Sequence, residues 1–201
     1  MNILEKLPFT IGEIMKRTSI LIITAISVLL IAATTILFPQ SKPKFDQPVL
    51  ITSAGQSADV TIAGMIFKRA NVQAKAIPLA KAADLEGVKT LVVVAGFSSK
   101  GLGAAGISRE QELARVQSIL QEAREKKLKI MTLHIGGKAR RGNQSDDFNK
   151  MAAEVASYLL VVKQGNEDQF FSKIAAEKKI PIDLVDKIVD AVQPVAKAFE
   201  K

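Results

Sequence analysis

Two patterns of hydrophobic and polar positions divide the chain. Residues 18–38 carry no charged side chain and are apolar all round. From residue 48 onward, short apolar runs alternate with stretches whose apolar residues recur every three or four positions. The first pattern predicts a transmembrane helix. About 21 residues at ~1.5 Å each span a hydrocarbon core of about 30 Å, and a buried helix in a water-soluble domain would show a polar stripe. The second predicts an α/β domain.

Within that domain, residues 48–54 form an apolar run ended by Gly55, the first expected strand. A helix is expected over 57–70, burying Val60, Ile62, Ala63, Met65, Ile66 and Phe67. Residues 73–79 read as a weak second strand and 81–87 as a short helical or turn connection. Residues 89–95 (KTLVVVA) are continuous and β-branched, as in a strand covered on both faces. Residues 96–106, with four glycines, read as a mobile loop. Ser108 and Gln111 have the spacing of a capping box that opens a long helix. Leu113, Val116, Leu120 and Leu128 mark its buried side, and Arg115, Arg124 and Lys127 its wet side. A fourth strand (129–135), a helix (146–157) and a fifth strand (158–162) follow. Asn166, with Gln169 three residues on, caps another helix. Pro181 sits in the first turn of a final helix, which Pro194 would kink. Strict alternation implies a three-layer α/β fold with a parallel five-stranded sheet, and right-handed crossovers make the flavodoxin-like order 2-1-3-4-5 the simplest.

Lys16 and Arg17 immediately precede the apolar run, so the positive-inside rule places residues 1–17 in the cytoplasm and the domain outside it. Lys42 and Lys44 weaken that signal without reversing it. The run is longer than a signal-peptide core and no A-x-A site follows it, which favours a retained signal anchor; a cleaved signal is the alternative. The expected organisation is a cytoplasmic N-terminus (1–17), a transmembrane signal anchor (18–38), an extended proline-containing linker (39–47) and an extracytoplasmic α/β domain (48–201). The absence of Cys excludes a lipobox, a disulfide framework and a Cys nucleophile, and a single His excludes a multi-histidine metal site. Net charge is +8, of which residues 1–46 supply +2. A basic domain suits anionic metabolites, anionic lipid or nucleic acid. With no Trp, one Tyr and no nucleic-acid motif, nucleic acid is not expected.

In open α/β sheets ligands bind beyond the carboxyl ends of the strands, where the strand order reverses. Three loops leave that edge. The first (Thr52, Ser53, Gly55, Gln56, Ser57) combines hydroxyls, a glycine and a helix N-terminus, the ingredients of an anion site or of an ordinary capped turn. The second contains Ser98, Ser99, Lys100 and Gly101 and lacks P-loop spacing. Its length suggests function or mobility. The third (His134, Gly136, Gly137, Lys138, Arg140, Arg141) gathers three cations that suit a carboxylate or phosphate, or a solvated turn. His134 reads as a satisfied histidine or a general base, without an adjacent carboxylate. Asp59, Asp146 and Asp147 read as helix-start acids.

The runs TSAGQSAD (52–59), SSKGLGAAGI (98–107), HIGGKARRG (134–142) and QGNEDQFF (164–171) resemble a bacterial domain-of-unknown-function family with an exported or signal-anchored flavodoxin-like or Rossmann-like α/β domain. The resemblance covers roughly residues 47–190 and implies no activity. A likeness to flavodoxins rests on the hydroxyl- and glycine-rich first loop, but Phe97 is the only aromatic in the three loops, where a flavin would want several. The reading that follows is a membrane-anchored extracytoplasmic domain that binds a small anionic ligand for a transporter or sensor partner, with no cofactor, metal or catalytic residue assigned. The alternatives are a hydrolase or transferase using a loop Ser and His134, and a structural partner subunit without a ligand.

Overall fold

The computed structural model describes residues 42–200. Six parallel strands form one sheet in the order β2-β1-β3-β4-β5-β6. They are β1 (Val49–Ala54), β2 (Ala74–Ala76), β3 (Thr90–Ala95), β4 (Lys129–His134), β5 (Tyr158–Val162) and β6 (Ile182–Val185). The helices are α1 (Asp59–Arg69), α2 (Ser99–Ala105), α3 (Arg109–Glu125), α4 (Asn143–Glu154), α5 (Phe170–Lys178) and α6 (Val192–Phe199). Among the described residues no helix is long and apolar enough to cross a membrane. The run at 18–38 lies outside them.

Alternation within the strands sorts the core into two faces. Val49, Ile51, Val92, Val94, Met131 and Leu133 meet Val60, Ala63, Ile66 and Phe67 of α1 and Val195 and Ala198 of α6. Leu50, Leu91, Val93 and Ile130 point the other way, onto Val116, Ile119, Leu120 and Ala123 of α3 and Phe148 and Ala152 of α4. Leu159 and Val161 extend this second face beneath Phe171 and Ile174 of α5. Strands β1, β3 and β5 are buried throughout, hence their near-continuous apolar runs.

Met65, expected on the buried side of α1, is exposed, and two expectations about the elements are corrected. The sheet has six strands rather than five, because the segment after Pro181 pairs with β5 (Leu159↔Ile182 to Val162↔Val185) instead of opening a helix. The buried Tyr158 hydroxyl donates to Asp183 at 2.6 Å, which ties the two strands at their amino ends. Pro194 then falls in the first turn of α6, where no intrahelical donor is required. The second correction is that residues 99–105 are helical. The Ser98 hydroxyl caps α2 by accepting the Gly101 N–H at 3.1 Å, and Gly106 ends it at φ 66°.

Residues 42–48 are docked along the amino edge of the sheet. Lys42 pairs with Asp183 of β6 at 2.6 Å. Lys129 at the start of β4 donates to the Lys44 carbonyl. The Phe45 N–H donates to Ala198 at 2.8 Å, with the Phe45 ring packed against Tyr158 and Phe199. The Asp46 carbonyl accepts from the Thr90 hydroxyl of β3 at 2.7 Å, and the Gln47 side chain accepts the Gln73 N–H before β2 at 3.0 Å. This strap therefore crosses the sheet from one edge strand to the other.

Candidate functional site

At the switch point between β1 and β3 the first loop closes around a protein carboxylate. Glu112 of α3 is fully buried. One of its oxygens accepts the Gly55 N–H at 2.9 Å and the Gln56 amide at 3.0 Å. Arg115, one turn later, donates to both Glu112 oxygens at 2.7 and 2.8 Å. Its remaining N–H groups reach the Thr52 hydroxyl and the main-chain oxygens of Ser53 and Ala80. All five guanidinium donors are used. Arg115, expected in solvent, is thus a largely covered tie between α3 and the first loop. Thr52, Ser53, Gln56 and Ser57 are all buried, and the Ser53 and Ser57 hydroxyls have no hydrogen-bond partner among the described residues. The Gly55 N–H and the Gln56 amide of this loop are taken by Glu112.

The second loop covers the first. A Cβ on Gly55 would lie 2.7 Å from the Gly96 oxygen, and one on Gly101 would run into the Gln56 carbonyl. Glycine at both positions is what lets the two segments touch, with Gln56 and Phe97 forming an isolated bridge. Ser99 and Lys100 face solvent on the outer side of α2. Among the described residues Lys100 has no ion-pair partner.

The cations of the third loop differ in what holds them. Arg141 donates to both oxygens of Asp146 at 2.8 and 3.2 Å, to both of Asp168 at 2.9 Å, and to the Gly165 carbonyl. Its guanidinium lies 4.4 Å from the centre of the Phe170 ring. No donor is left for a ligand. The bond to Arg141 holds the Asp168 carboxyl far below the usual carboxylate range. Burial raises the Asp146 carboxyl, but its bonds to Arg141 and Asn149 outweigh this and lower it overall. Arg140 donates to the Phe97 carbonyl at 3.1 Å and lies 3.4 Å from the buried Asp59 carboxylate. Gly136 makes room for that pair. Lys138 is exposed, with Glu167 at 3.9 Å. Asp59 and Asp146 therefore neutralise arginines as well as standing at helix starts.

His134 is fully buried on the α4–α5 face, its ring centre 4.6 Å from that of Phe171. Nδ1 faces the Ala95 carbonyl at 3.1 Å and Nε2 the Gly137 carbonyl at 3.2 Å. A neutral ring donates to one of the two. Burial pushes its pKa below the ordinary histidine value, with the carbonyl bonds opposing. Neither nitrogen meets a hydroxyl or a carboxylate. Gly165 lies against the ring, where a Cβ would collide with it.

What remains open is a groove of about 600 Å³ between α2 and the start of α4. Ser98, Ser99 and Lys100 line one wall, and Arg140, Gly142 and Asn143 the other. No carboxylate lines it. Gly142 opens α4 without a side-chain cap. Lys138, Gly137, His134 and the whole first loop lie outside this groove. Glu112 and Arg115 carried no functional signal in the sequence beyond their three-residue spacing, and Asp168 and Phe170 none beyond the run QGNEDQFF. A second hollow, about 630 Å³, lies around Leu120, Met151 and Val155 toward the C-terminal ends of α3 and α4, away from the loops. Among the described residues no group of His, Asp and Glu has the arrangement of a metal site.

Comparison with known proteins adds the following. A GDSL-like lipase from Bacteroides thetaiotaomicron is similar at 11% identity, over 76% of this chain and 74% of that one, with a TM-score of 0.33. Pyridoxal kinase from Entamoeba histolytica is similar at 16% identity, over 71% of this chain, with a TM-score of 0.42, and the chain spans 63% of its length. A psychrotrophic esterase from a Pseudoalteromonas species has 7% identity, 69% and 78% coverage and a TM-score of 0.29. At such scores none of their activities carries over. No curated protein matches the sequence. Residues 46–199 match the family described as "Domain of unknown function (DUF6305)", in keeping with the resemblance read from the loop motifs, and the chain belongs to that family.

Proposed function

We propose that this chain is a membrane-tethered extracytoplasmic domain that captures a small monoanion, most simply a carboxylate, in the groove between α2 and α4 and presents it to a transporter or sensor partner. The observation that carries the reading is how the cations around that groove are paired. Arg140, Arg141 and Lys138 each face protein carboxylates, whereas Lys100 faces none among the described residues. Lys100 is thus the groove-lining cation without a carboxylate of its own, and a single ammonium matches one negative charge. A phosphate dianion would leave a charge unmet, so the carboxylate is favoured over the phosphate ester that the three cations suggest in the sequence. The uncapped first turn of α4 adds a modest preference for negative charge. The tether rests on the uncharged run at 18–38 behind Lys16 and Arg17. A hydrolase is less well supported, since both His134 nitrogens face main-chain carbonyls and none of the four loop serines is bonded to it.

A thermal-shift screen of residues 42–201 against small carboxylates and phosphates tests the reading. A carboxylate at about 100 times its Kd raises stability by roughly 2.7 kcal/mol. Lys100→Ala then weakens binding by about 1–3 kcal/mol, roughly 5- to 150-fold, with an unchanged melting temperature in the free state. Stabilisation by phosphates alone, or equal affinity in Lys100→Ala, removes the proposal.

A further inference from the structure

The charge asymmetry of the domain lies at the opposite edge from the groove. Because α1, α3, α4, α5 and α6 return antiparallel to the strands, their C-termini collect at the amino edge of the sheet. Cations stand in the last turns of α1 (Lys68, Arg69), α3 (Arg124), α5 (Lys178) and α6 (Lys197). Lys126 and Lys127 follow directly on α3. Helix dipoles account for one such cation per helix. They do not account for Lys89 at the start of β3, or for Lys42 and Lys44 on the strap. Lys89, Lys126, Lys127 and Lys129 surround one hollow whose only carboxylates are Asp46 and Glu86. Lys42, Lys44 and Lys197 surround the adjoining one, together with Asp183 and Glu200. Of these lysines Lys42, Lys126 and Lys129 face carboxylates, whereas Lys44, Lys89, Lys127 and Lys197 face none among the described residues.

The strap sets how far this edge can stand from its tether. It is docked from Lys42 onward. If residues 18–38 are the anchor, only residues 39–41 lie between anchor and strap, and fully extended they reach about 14 Å at most. The Debye length near physiological salt is about 8 Å. On that reading Lys42, though not the whole edge, is held within about two Debye lengths of the anchor's end.

We infer that the amino edge of the sheet is a docking surface for anionic lipid headgroups, formed by Lys42, Lys44, Lys89, Lys126, Lys127 and Lys197. This rests on the membrane-anchor reading above. Docking holds the edge against the bilayer and leaves the groove facing away from it.

The test uses the full chain reconstituted in vesicles. The native sequence has no Cys, so single dyes go on Gln73→Cys, at the amino edge, and on Gly103→Cys, exposed on α2 with open space around it. Energy transfer to a headgroup-labelled acceptor is compared between phosphatidylcholine vesicles and vesicles with about a third phosphatidylglycerol. Transfer at Gln73 is expected to exceed that at Gly103, to rise with anionic lipid, and to fall in high salt. It is also expected to fall in Lys126→Gln/Lys127→Gln but not in Lys138→Gln. Transfer at Gln73 that ignores lipid charge and salt means tether proximity alone and overturns the inference. Failure of the anchor reading shows separately, as release of the chain from vesicles by alkaline carbonate. In that event sedimentation of residues 42–201, a compact unit with its own core, with the same vesicles decides whether the edge binds anionic lipid.

Discussion

Arg115, Arg140 and Arg141 show how little a residue type says about its task. Each is an arginine beside a glycine-rich loop. Arg115 is saturated by Glu112 and main-chain oxygens, Arg141 by Asp146, Asp168 and Gly165, and Arg140 shares Asp59 while still lining the groove. The cluster of cations was legible in the sequence. Their partners were not, because Asp59 and Asp168 lie 81 and 27 positions from the arginines they meet. Glu112→Ala leaves Arg115 charged and unpaired in the interior and is expected to cost about 3–5 kcal/mol, lowering Tm by on the order of 10 °C. An unchanged Tm in differential scanning calorimetry would refute that account. The buried His134 gives a pH signature. The unfolded chain binds a proton near pH 6.5, whereas burial keeps the native ring neutral to lower pH. Its contribution is therefore complete above about pH 6.5 and declines as pH falls through that value. Urea midpoints should drop between pH 7 and 5 in the native sequence, and His134→Gln should flatten that slope. Loss of the depressed Asp146 and Asp168 contributions appears separately, below about pH 4, since their ionised forms are the ones Arg141 stabilises.

Element types with strong local signals were legible: the capping box of Ser108 and Gln111 forms as the spacing implies, and β3 and β5 coincide with the two cleanest apolar runs. α2 and β6 escaped the sequence reading for different physical reasons. α2 has poor intrinsic helix propensity, with two glycines in seven residues, and owes its existence to packing on the first loop. β6 is an edge strand with only Val185 buried, so it lacks the continuous apolar signature of the central strands. The two glycines of α2 should respond oppositely to the same substitution. A methyl group at Gly101 runs into the Gln56 carbonyl, whereas one at Gly103 meets nothing within 4 Å. Gly103→Ala is expected to stabilise by about 0.5–1 kcal/mol and Gly101→Ala to destabilise by more than about 1 kcal/mol. Equal effects in chemical denaturation would mean that α2 does not rest on the first loop.

For the whole molecule, the parallel doubly wound arrangement and the reversal between β1 and β3 followed from alternation alone. The use made of the switch point did not, because Glu112 fills it from a helix more than fifty residues away in sequence. The proposed orientation is checked with reporters fused after Lys201: one that works only outside the cytoplasm should be active, and one that works only inside should be silent. The opposite pattern would reverse the topology. The strap at residues 42–48 bears on a different question, the order in which the molecule assembles. Its partners include Asp183 and Lys197, 141 and 153 positions later, so its contacts close the longest loops in the domain. Synthesis delivers the strap before any strand, yet its docking sites exist only once β6 and α6 are in place. Contacts of such separation form slowly and late. The chain lacks Trp, so Phe45→Trp places a single fluorescent reporter beneath the strap. In refolding its burial should lag the recovery of helical circular dichroism. Until that lag ends, Phe45 and the ring faces it covers on Tyr158 and Phe199 stay open to solvent: the segment made first is the last to be sealed.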